Sequence, residues 1–152
     1  MVFCTNMRAT KTELTDRTQS GRAMYESAKY YKDLGQYLDT SLNQMFNFVR
    51  SIPYKEDDIK TELVARPKYL IRKRFLNGLD CKKKAVLMGA WCNAHNIPFN
   101  FVAVSERDDK VIHHVFVQGF IDNEWRNIDP TYSNYKLFEP KPSTTAGEVL
   151  PR

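Results

Sequence analysis

Hydrophobic residues recur every three or four positions in the first third of the chain, which is the spacing of one face of an α-helix. Between residues 23 and 50 this face consists of Leu34, Leu38, Leu42, Met45, Phe46 and Val49. Gly35 interrupts the pattern, so one broken helix and two separate helices both fit it. The first 22 residues are polar and have no period, and we expect them to form a flexible N-terminal segment.

Further helices are predicted between residues 51 and 95. Pro53 ends the first helical region, because the residue before a proline is forced out of the α conformation. The stretch KYLIRKRFLNG, residues 68–78, fits a helix that ends at Gly78. Asp80 is a suitable N-cap for the next helix. Apolar residues lie on every side of that helix, which predicts that it is buried nearly all round.

Three runs typical of β-strands follow the buried helix: FNFVAVS, VIHHVFVQGF and EWRNIDPT. Short polar segments separate them, so consecutive runs can pair as an antiparallel meander. After Tyr135 the chain contains three prolines and no period, and we expect residues 139–152 to form an extended tail. Helices followed by antiparallel strands predict an α+β fold, with a single domain over residues 23–138.

Length and composition fit one domain: the chain has 152 residues, of which 42% are hydrophobic. No apolar run approaches the roughly 20 residues of a membrane span, and the first residues lack the apolar stretch of a signal peptide. The three cysteines, Cys4, Cys81 and Cys92, do not resemble a disulfide framework. Cys81 and Cys92 lie about three turns apart on one helix, too far for a disulfide or a shared zinc ion. We therefore expect free thiols, a reducing compartment and no metal.

The net charge of +5 is unevenly spread along the chain. The segment 66–84 contains eight basic residues and a single acidic one, Asp80. Three interpretations remain open: a solvated basic face, a contact surface for an acidic partner, or an electropositive environment for Cys81. No stacking platform or nucleic-acid motif accompanies the basic residues, so we do not expect nucleic-acid binding.

Cys81 follows the expected cap Asp80 and is therefore placed in the first turn of a helix. The positive end of the helix dipole favours a thiolate over a thiol there. A thiol that acts as a nucleophile also needs a base and a group that orients the base. The later strands supply two histidines, His113 and His114, and the carboxylate of Asp129.

The hairpin between the last two predicted strands decides which histidine is eligible. Asp122 and Asn123 tolerate the left-handed conformations of a two-residue turn. With that turn, His114 and Asp129 lie on one face as diagonal neighbours, within reach of a hydrogen bond, while His113 points to the other face. A three-residue turn would reverse the choice, since a slip of one residue exchanges the two faces.

Three short motifs in this order resemble the transglutaminase-like group of papain-type cysteine enzymes. They are G-x-D-C at the start of a helix, H-x-aromatic-V on a strand and D-P-T on the next strand. Here they consist of Gly78, Asp80 and Cys81; His114, Phe116 and Val117; and Asp129, Pro130 and Thr131. The resemblance covers about residues 45–135 and implies a papain-like core.

The resemblance implies a nucleophile, Cys81, a general base, His114, and an orienting carboxylate, Asp129. It also implies chemistry at amide bonds by a peptidase, deamidase or transglutaminase-type enzyme that needs no cofactor. An oxyanion hole would use the backbone N–H of Cys81 and one upstream side chain. The candidates for that side chain are Asn77, Tyr54 and Gln36.

The compact form and the stretch upstream of the cysteine resemble members encoded by phages and prophages. Lys82 and Lys83 stand where members often carry acidic residues, so the resemblance does not define the class of substrate. We expect a protein or peptide substrate, which would be acidic if the basic segment binds it. Some proteins with this fold have lost catalysis. The alternative function is therefore a structural or assembly protein, for instance a phage particle component that binds phage structural proteins. The expected location is the cytoplasm of a bacterial host or the virion, without membrane insertion.

Overall fold

The computed structural model describes residues 10–12, 17–56, 62–73, 78–105, 112–141 and 146–152. The helices are α1 (Arg17–Ala28), a 3₁₀ helix (Tyr31–Tyr37), α2 (Leu42–Ser51), α3 (Pro67–Lys73) and α4 (Cys81–Ala94). The strands are β1 (Thr10–Thr12), β2 (Glu62–Val64), β3 (Phe99–Ser105), β4 (His114–Ile121), β5 (Glu124–Ile128) and β6 (Ala146–Val149).

The strands form two antiparallel sheets. β1 pairs with β2, and the larger sheet has the order β5-β4-β3-β6. Helix α4 lies at the centre of the molecule, where it contacts α1, α2, α3, the 3₁₀ helix, β3 and β4. Every residue from Lys83 to Cys92 is buried. The fold is therefore α+β, and the prediction of a nearly fully buried central helix is confirmed.

The helical region before α4 is divided at Gly35. This glycine has φ 55° and ψ −120°, a conformation that interrupts the 3₁₀ helix and that residues with a side chain rarely adopt. Helix α2 then begins at a complete capping box, in which Ser41 accepts from Gln44 N and Ser41 N donates to the Gln44 side chain. The periodic residues thus belong to separate helices.

The prediction of a flexible segment over residues 1–22 is wrong where the structure describes it. Residues 10–12 pair with β2, and α1 begins at Arg17. Ser20 and Gly21 are buried, so α1 is part of the domain. The sequence suggested a loose segment because α1 carries few large apolar residues; the helix instead packs closely against α4. Residues 1–9, with Cys4, lie outside the described residues.

The prediction of an extended tail over residues 139–152 is also wrong at its end. Strand β6 pairs with β3, for example Val102 with Val149, and completes the larger sheet. The next residue, Leu150, is buried and donates its N–H to Phe101 O at 2.8 Å. A four-residue edge strand has too few positions to show an alternating pattern, so pairing with β3 rather than local sequence determines it.

Among the described residues, none of the helices is both long and apolar enough to cross a bilayer.

Candidate active site

Cys81 is the first residue of α4. The Asp80 side chain caps the helix by accepting from Lys83 N at 3.0 Å, as the sequence predicted. The thiol therefore lies at the positive end of the helix, close to backbone N–H groups that have no partner within the helix. Cys81 is only 6% exposed.

A short parallel β-bridge between Tyr54 and Leu79 holds the segment that leads into Cys81. Leu79 N donates to Pro53 O at 2.9 Å, and Lys55 N donates to Leu79 O at 3.2 Å. Gly78 permits this contact because its φ is 67° and a Cβ there would lie 2.6 Å from Pro53 O. The contact brings Tyr54, between Pro53 and Lys55, to the start of α4.

The hairpin between β4 and β5 has the predicted two-residue turn. Asp122 and Asn123 have φ of 55° and 65°, and Ile121 faces Glu124 across the turn. This register brings His114 to Asp129: His114 Nε2 lies 2.7 Å from Asp129 Oδ2, and both side chains are buried. His113 is exposed. The choice of His114 over His113 as the partner of Asp129 is confirmed.

The thiol of Cys81 interacts with the ring of His114 and is one of the groups that raise the pKa of this histidine. Because Nε2 of the ring donates to Asp129, Nδ1 is the nitrogen left for the thiol. Burial alone would lower the pKa of His114, but hydrogen bonds to Asp129 and Cys81 and the charges of both raise that pKa to about 10. The structure therefore brings together the three residues singled out in the sequence, with His114 hydrogen-bonded to Asp129 and interacting with Cys81.

The carboxylate of Asp129 has partners on both oxygens. Oδ1 accepts from Thr131 N at 3.2 Å and from Thr131 Oγ1 at 2.5 Å. Oδ2 accepts from His114 and from Lys141 Nζ, which lies 2.5 Å away. Burial would raise the pKa of Asp129, but His114 and Lys141 outweigh it and hold that pKa below its ordinary value. Sequence reasoning missed Lys141, because nothing in the spacing of the proline-containing segment marks it.

Lys84 is a buried cation one turn after Cys81. Its Nζ donates to Ile52 O at 2.6 Å and to Thr131 O at 2.9 Å, with Pro130 O at 3.5 Å. These carbonyls belong to the segments that carry Tyr54 and Asp129. Burial lowers the pKa of Lys84 to about 8, and the negative charge of Asp129 opposes that shift. Lys84 thus joins the helix of Cys81 to both neighbouring segments.

The basic segment 66–84 is not a continuous solvated face. Besides Lys84, the side chain of Lys83 is buried, with Nζ 4.0 Å from Asp80. Arg66 makes two bonds to Asp33, at 2.9 and 2.8 Å. The interpretation as a solvated face is therefore wrong for these three residues. Arg72 is exposed, and residue 74 lies outside the described residues.

Three half-buried tyrosines surround the histidine, and we call Tyr54, Tyr132 and Tyr135 the aromatic rim. The rings of Tyr54 and Tyr132 are 4.9 Å apart, and those of Tyr132 and Tyr135 are 5.1 Å apart. His114 lies 6.4 Å from both Tyr132 and Tyr135. Burial, a hydrogen bond to Tyr132 and the charge of Cys81 raise the pKa of Tyr54 far above its ordinary value. Tyr54 therefore keeps its hydroxyl proton beside the thiol.

The side-chain candidates for an oxyanion hole have different positions. Tyr54 lies beside the start of α4, as described above. Gln36 is exposed on the 3₁₀ helix, and Asn77 lies outside the described residues.

Cys92 is fully buried in the core, where burial raises its pKa to about 12. No group of three or more His, Cys, Asp or Glu side chains in the described ranges could hold a metal ion.

Comparisons with known proteins add one structural likeness. No model of a protein family matches the chain, and no curated protein matches it in sequence. A solved structure of a candidate cysteine protease from Cytophaga hutchinsonii is similar, with 16% sequence identity and a TM-score of 0.49. The similarity covers 89% of this chain and 45% of that protein, so this chain spans less than half of its length.

Proposed function

We propose that the protein is a thiol-dependent hydrolase or acyltransferase that acts on amide bonds. The observation that carries the proposal is the hydrogen bond between His114 and Asp129, 2.7 Å from Nε2 to Oδ2, together with the interaction of Cys81 with the same imidazole. The position of Cys81 at the positive end of α4 supports the same function, because a helix N-terminus stabilises a thiolate.

In the proposed reaction, the proton of the Cys81 thiol already resides on His114 Nδ1, in keeping with the raised pKa of His114, and the thiolate sulfur attacks the carbonyl carbon of an amide. Asp129 holds the resulting imidazolium in place through Nε2. The imidazolium returns the proton to the departing nitrogen as the carbon–nitrogen bond breaks, which leaves a thioester on Cys81 and releases ammonia or an amine. Water or a second amine then attacks the thioester, with His114 again accepting the proton, to give an acid or a new amide.

The negative oxygen that forms during each attack needs hydrogen-bond donors. The backbone N–H of Cys81 is one, since the first N–H groups of a helix have no helical partner. We assign Tyr54 as the side-chain donor, because its hydroxyl stays protonated next to Cys81. To donate to the oxyanion, the hydroxyl must turn away from Glu56, to which it donates at 3.1 Å. A Tyr54→Phe variant would remove that hydroxyl while keeping the ring contact with Tyr132.

The experiment compares turnover by the unaltered protein, Cys81→Ala and Cys92→Ala. Ammonia release from glutamine-containing peptides reports deamidation, incorporation of a fluorescent alkylamine reports transfer, and new peptide termini report proteolysis. We expect Cys81→Ala to remove all turnover with the far-ultraviolet circular dichroism unchanged. Cys92→Ala is the matched control, a second buried thiol on α4, and should remain active if it folds. Turnover that survives in Cys81→Ala would contradict the proposal.

The alternative is a non-catalytic assembly protein that retains this fold, for instance a component of a phage particle. The low exposure of Cys81, 6%, favours it, because a closed site suits a structural role better than turnover. In that case Cys81→Ala should leave assembly intact, while charge reversal at the exposed Arg72 should weaken binding of an acidic partner. Loss of turnover in Cys81→Ala with unchanged assembly would separate the two roles.

A further inference from the structure

Asp129 Oδ2 is shared by two nitrogen donors. His114 Nε2 lies 2.7 Å from this oxygen and Lys141 Nζ lies 2.5 Å from it. These two distances limit the separation of the nitrogens to 5.2 Å, their sum. A carboxylate that only orients a histidine does not need a second cation on the same oxygen. The positive charge of Lys141 therefore bears on how readily His114 binds a proton.

Lys141 is held in this position by more than the carboxylate. Its Nζ lies 4.1 Å from the centre of the Tyr135 ring and 5.1 Å from that of Phe116. Both distances are typical of cation–π contacts. The side chain is 14% exposed, so solvent screens its charge only in part. An ammonium group held in this way places a positive charge beside the His114–Asp129 pair.

We propose that Lys141 is a positioning residue for the reaction, which fixes the Asp129 carboxylate and sets the pH range over which His114 holds its proton. A catalytic role for Lys141 rests on the proposed function, because it requires that His114 and Cys81 carry out the reaction. The effect on His114 itself does not require turnover and can be measured separately.

Other charged and titratable groups face the same pair. Helix α4 contributes Cys81, which interacts with His114, and Lys84, whose charge interacts with Asp129. The aromatic rim contributes Tyr132 and Tyr135, whose ring centres lie 6.4 Å from that of His114. Tyr54 donates its hydroxyl to Glu56 at 3.1 Å. The nearest variable charge is the thiol, so the measurement is made in a Cys81→Ala background. Cys81 is among the groups that raise the pKa of His114, so its removal moves the titration to lower pH.

The sign of the expected effect follows from charge. Lys141 attracts the Asp129 carboxylate and repels the His114 imidazolium, so it opposes protonation of the histidine. Replacing it by methionine keeps much of the apolar side chain and removes the charge. We expect the titration midpoint of His114 in Cys81→Ala/Lys141→Met to rise by on the order of one pH unit relative to Cys81→Ala.

The test follows the imidazole resonances of His114 by nuclear magnetic resonance as a function of pH. The conservative variant Lys141→Arg should keep the midpoint of the Cys81→Ala parent, because it restores a cation. Lys136→Met is the matched control, an exposed lysine in the same segment, and should also leave the midpoint unchanged. Lys141→Gln provides a second neutral variant should the methionine disturb folding.

An unchanged or lowered midpoint in both neutral variants would overturn the role of Lys141, and so would an equal rise in Lys141→Arg. With Cys81 present, Lys141→Met should also move the alkaline limb of kcat/KM to higher pH. Absence of any turnover in the unaltered protein would defeat the proposed function but leave the resonance titration interpretable, so the two failures are distinguishable.

Discussion

Replacing Lys84 by methionine tests whether a buried ammonium joins the helix of the nucleophile to its neighbours. The change removes the donor of two short hydrogen bonds, to Ile52 O and Thr131 O. Stranding two buried carbonyls costs about 2–6 kcal/mol in total. In the other direction, the pKa of Lys84 falls from 10.5 to about 8, so removing the charge returns about 3 kcal/mol at pH 7. The two effects oppose each other at pH 7, so the informative quantity is the change with pH.

The sign of that change follows from the depressed pKa. Between pH 8 and pH 10.5 the unfolded chain holds the Lys84 proton more firmly than the folded protein does. Stability from this group therefore rises with pH in that window, and is lowest below pH 8, where the folded protein contains the buried charge. From pH 7 to pH 9 the unaltered protein should gain about 1.3 kcal/mol relative to Lys84→Met.

Urea unfolding at pH 7 and pH 9, followed by tryptophan fluorescence, measures this difference. Groups that titrate in both proteins cancel when the two free energies of unfolding are subtracted. Lys32→Met is the control, since it removes the same charge from an exposed position. The reasoning would be refuted if the free energy of unfolding of the unaltered protein did not rise, relative to that of Lys84→Met, from pH 7 to pH 9.

Three further outcomes are expected. Iodoacetamide should alkylate Cys81 with a rate that falls sharply in His114→Ala and little in His113→Ala, as measured by peptide mass spectrometry; equal losses would contradict the assignment of His114. Asp129→Ala should lower kcat by on the order of 10³–10⁴, with folding unchanged by circular dichroism, and a loss below tenfold would contradict an orienting role. Leu150→Ala should destabilise the protein by about 2–5 kcal/mol in urea unfolding, whereas a surface tail would show almost no loss.

The local sequence was sufficient to predict the pairing of His114 with Asp129. Asp122 and Asn123 favour a two-residue turn, and strand geometry then determines which side chains share a face. The cap at Asp80 is equally local, because a helix start needs an acceptor for its free N–H groups. These features depend on residues close together in the chain, so the sequence contains most of the information.

Lys84, Lys141 and β6 were not predicted, because each depends on where distant segments meet. Lysine is usually exposed, and none of the three interpretations of the basic segment 66–84 places Lys84 in the core. A signal existed, since Lys84 shares a helical face with Leu87 and Met88 in a helix that is apolar all round. For Lys141 and β6 the sequence offers no comparable pattern, because a single lysine and four edge residues have no period.

The hydroxyl of Tyr25 joins the first long helix to the last strand. It donates to Leu150 O at 3.0 Å across a separation of 125 residues and accepts from Phe101 N at 2.9 Å. Closing a loop of that length costs about 4 kcal/mol in chain entropy, whereas the β4–β5 hairpin closes over two residues. We therefore expect β6 to dock late in folding, after the hairpin has formed. Until then the edge of β3 is open to pairing with another chain, so a weakened Tyr25–Leu150 contact should appear first as aggregation during refolding.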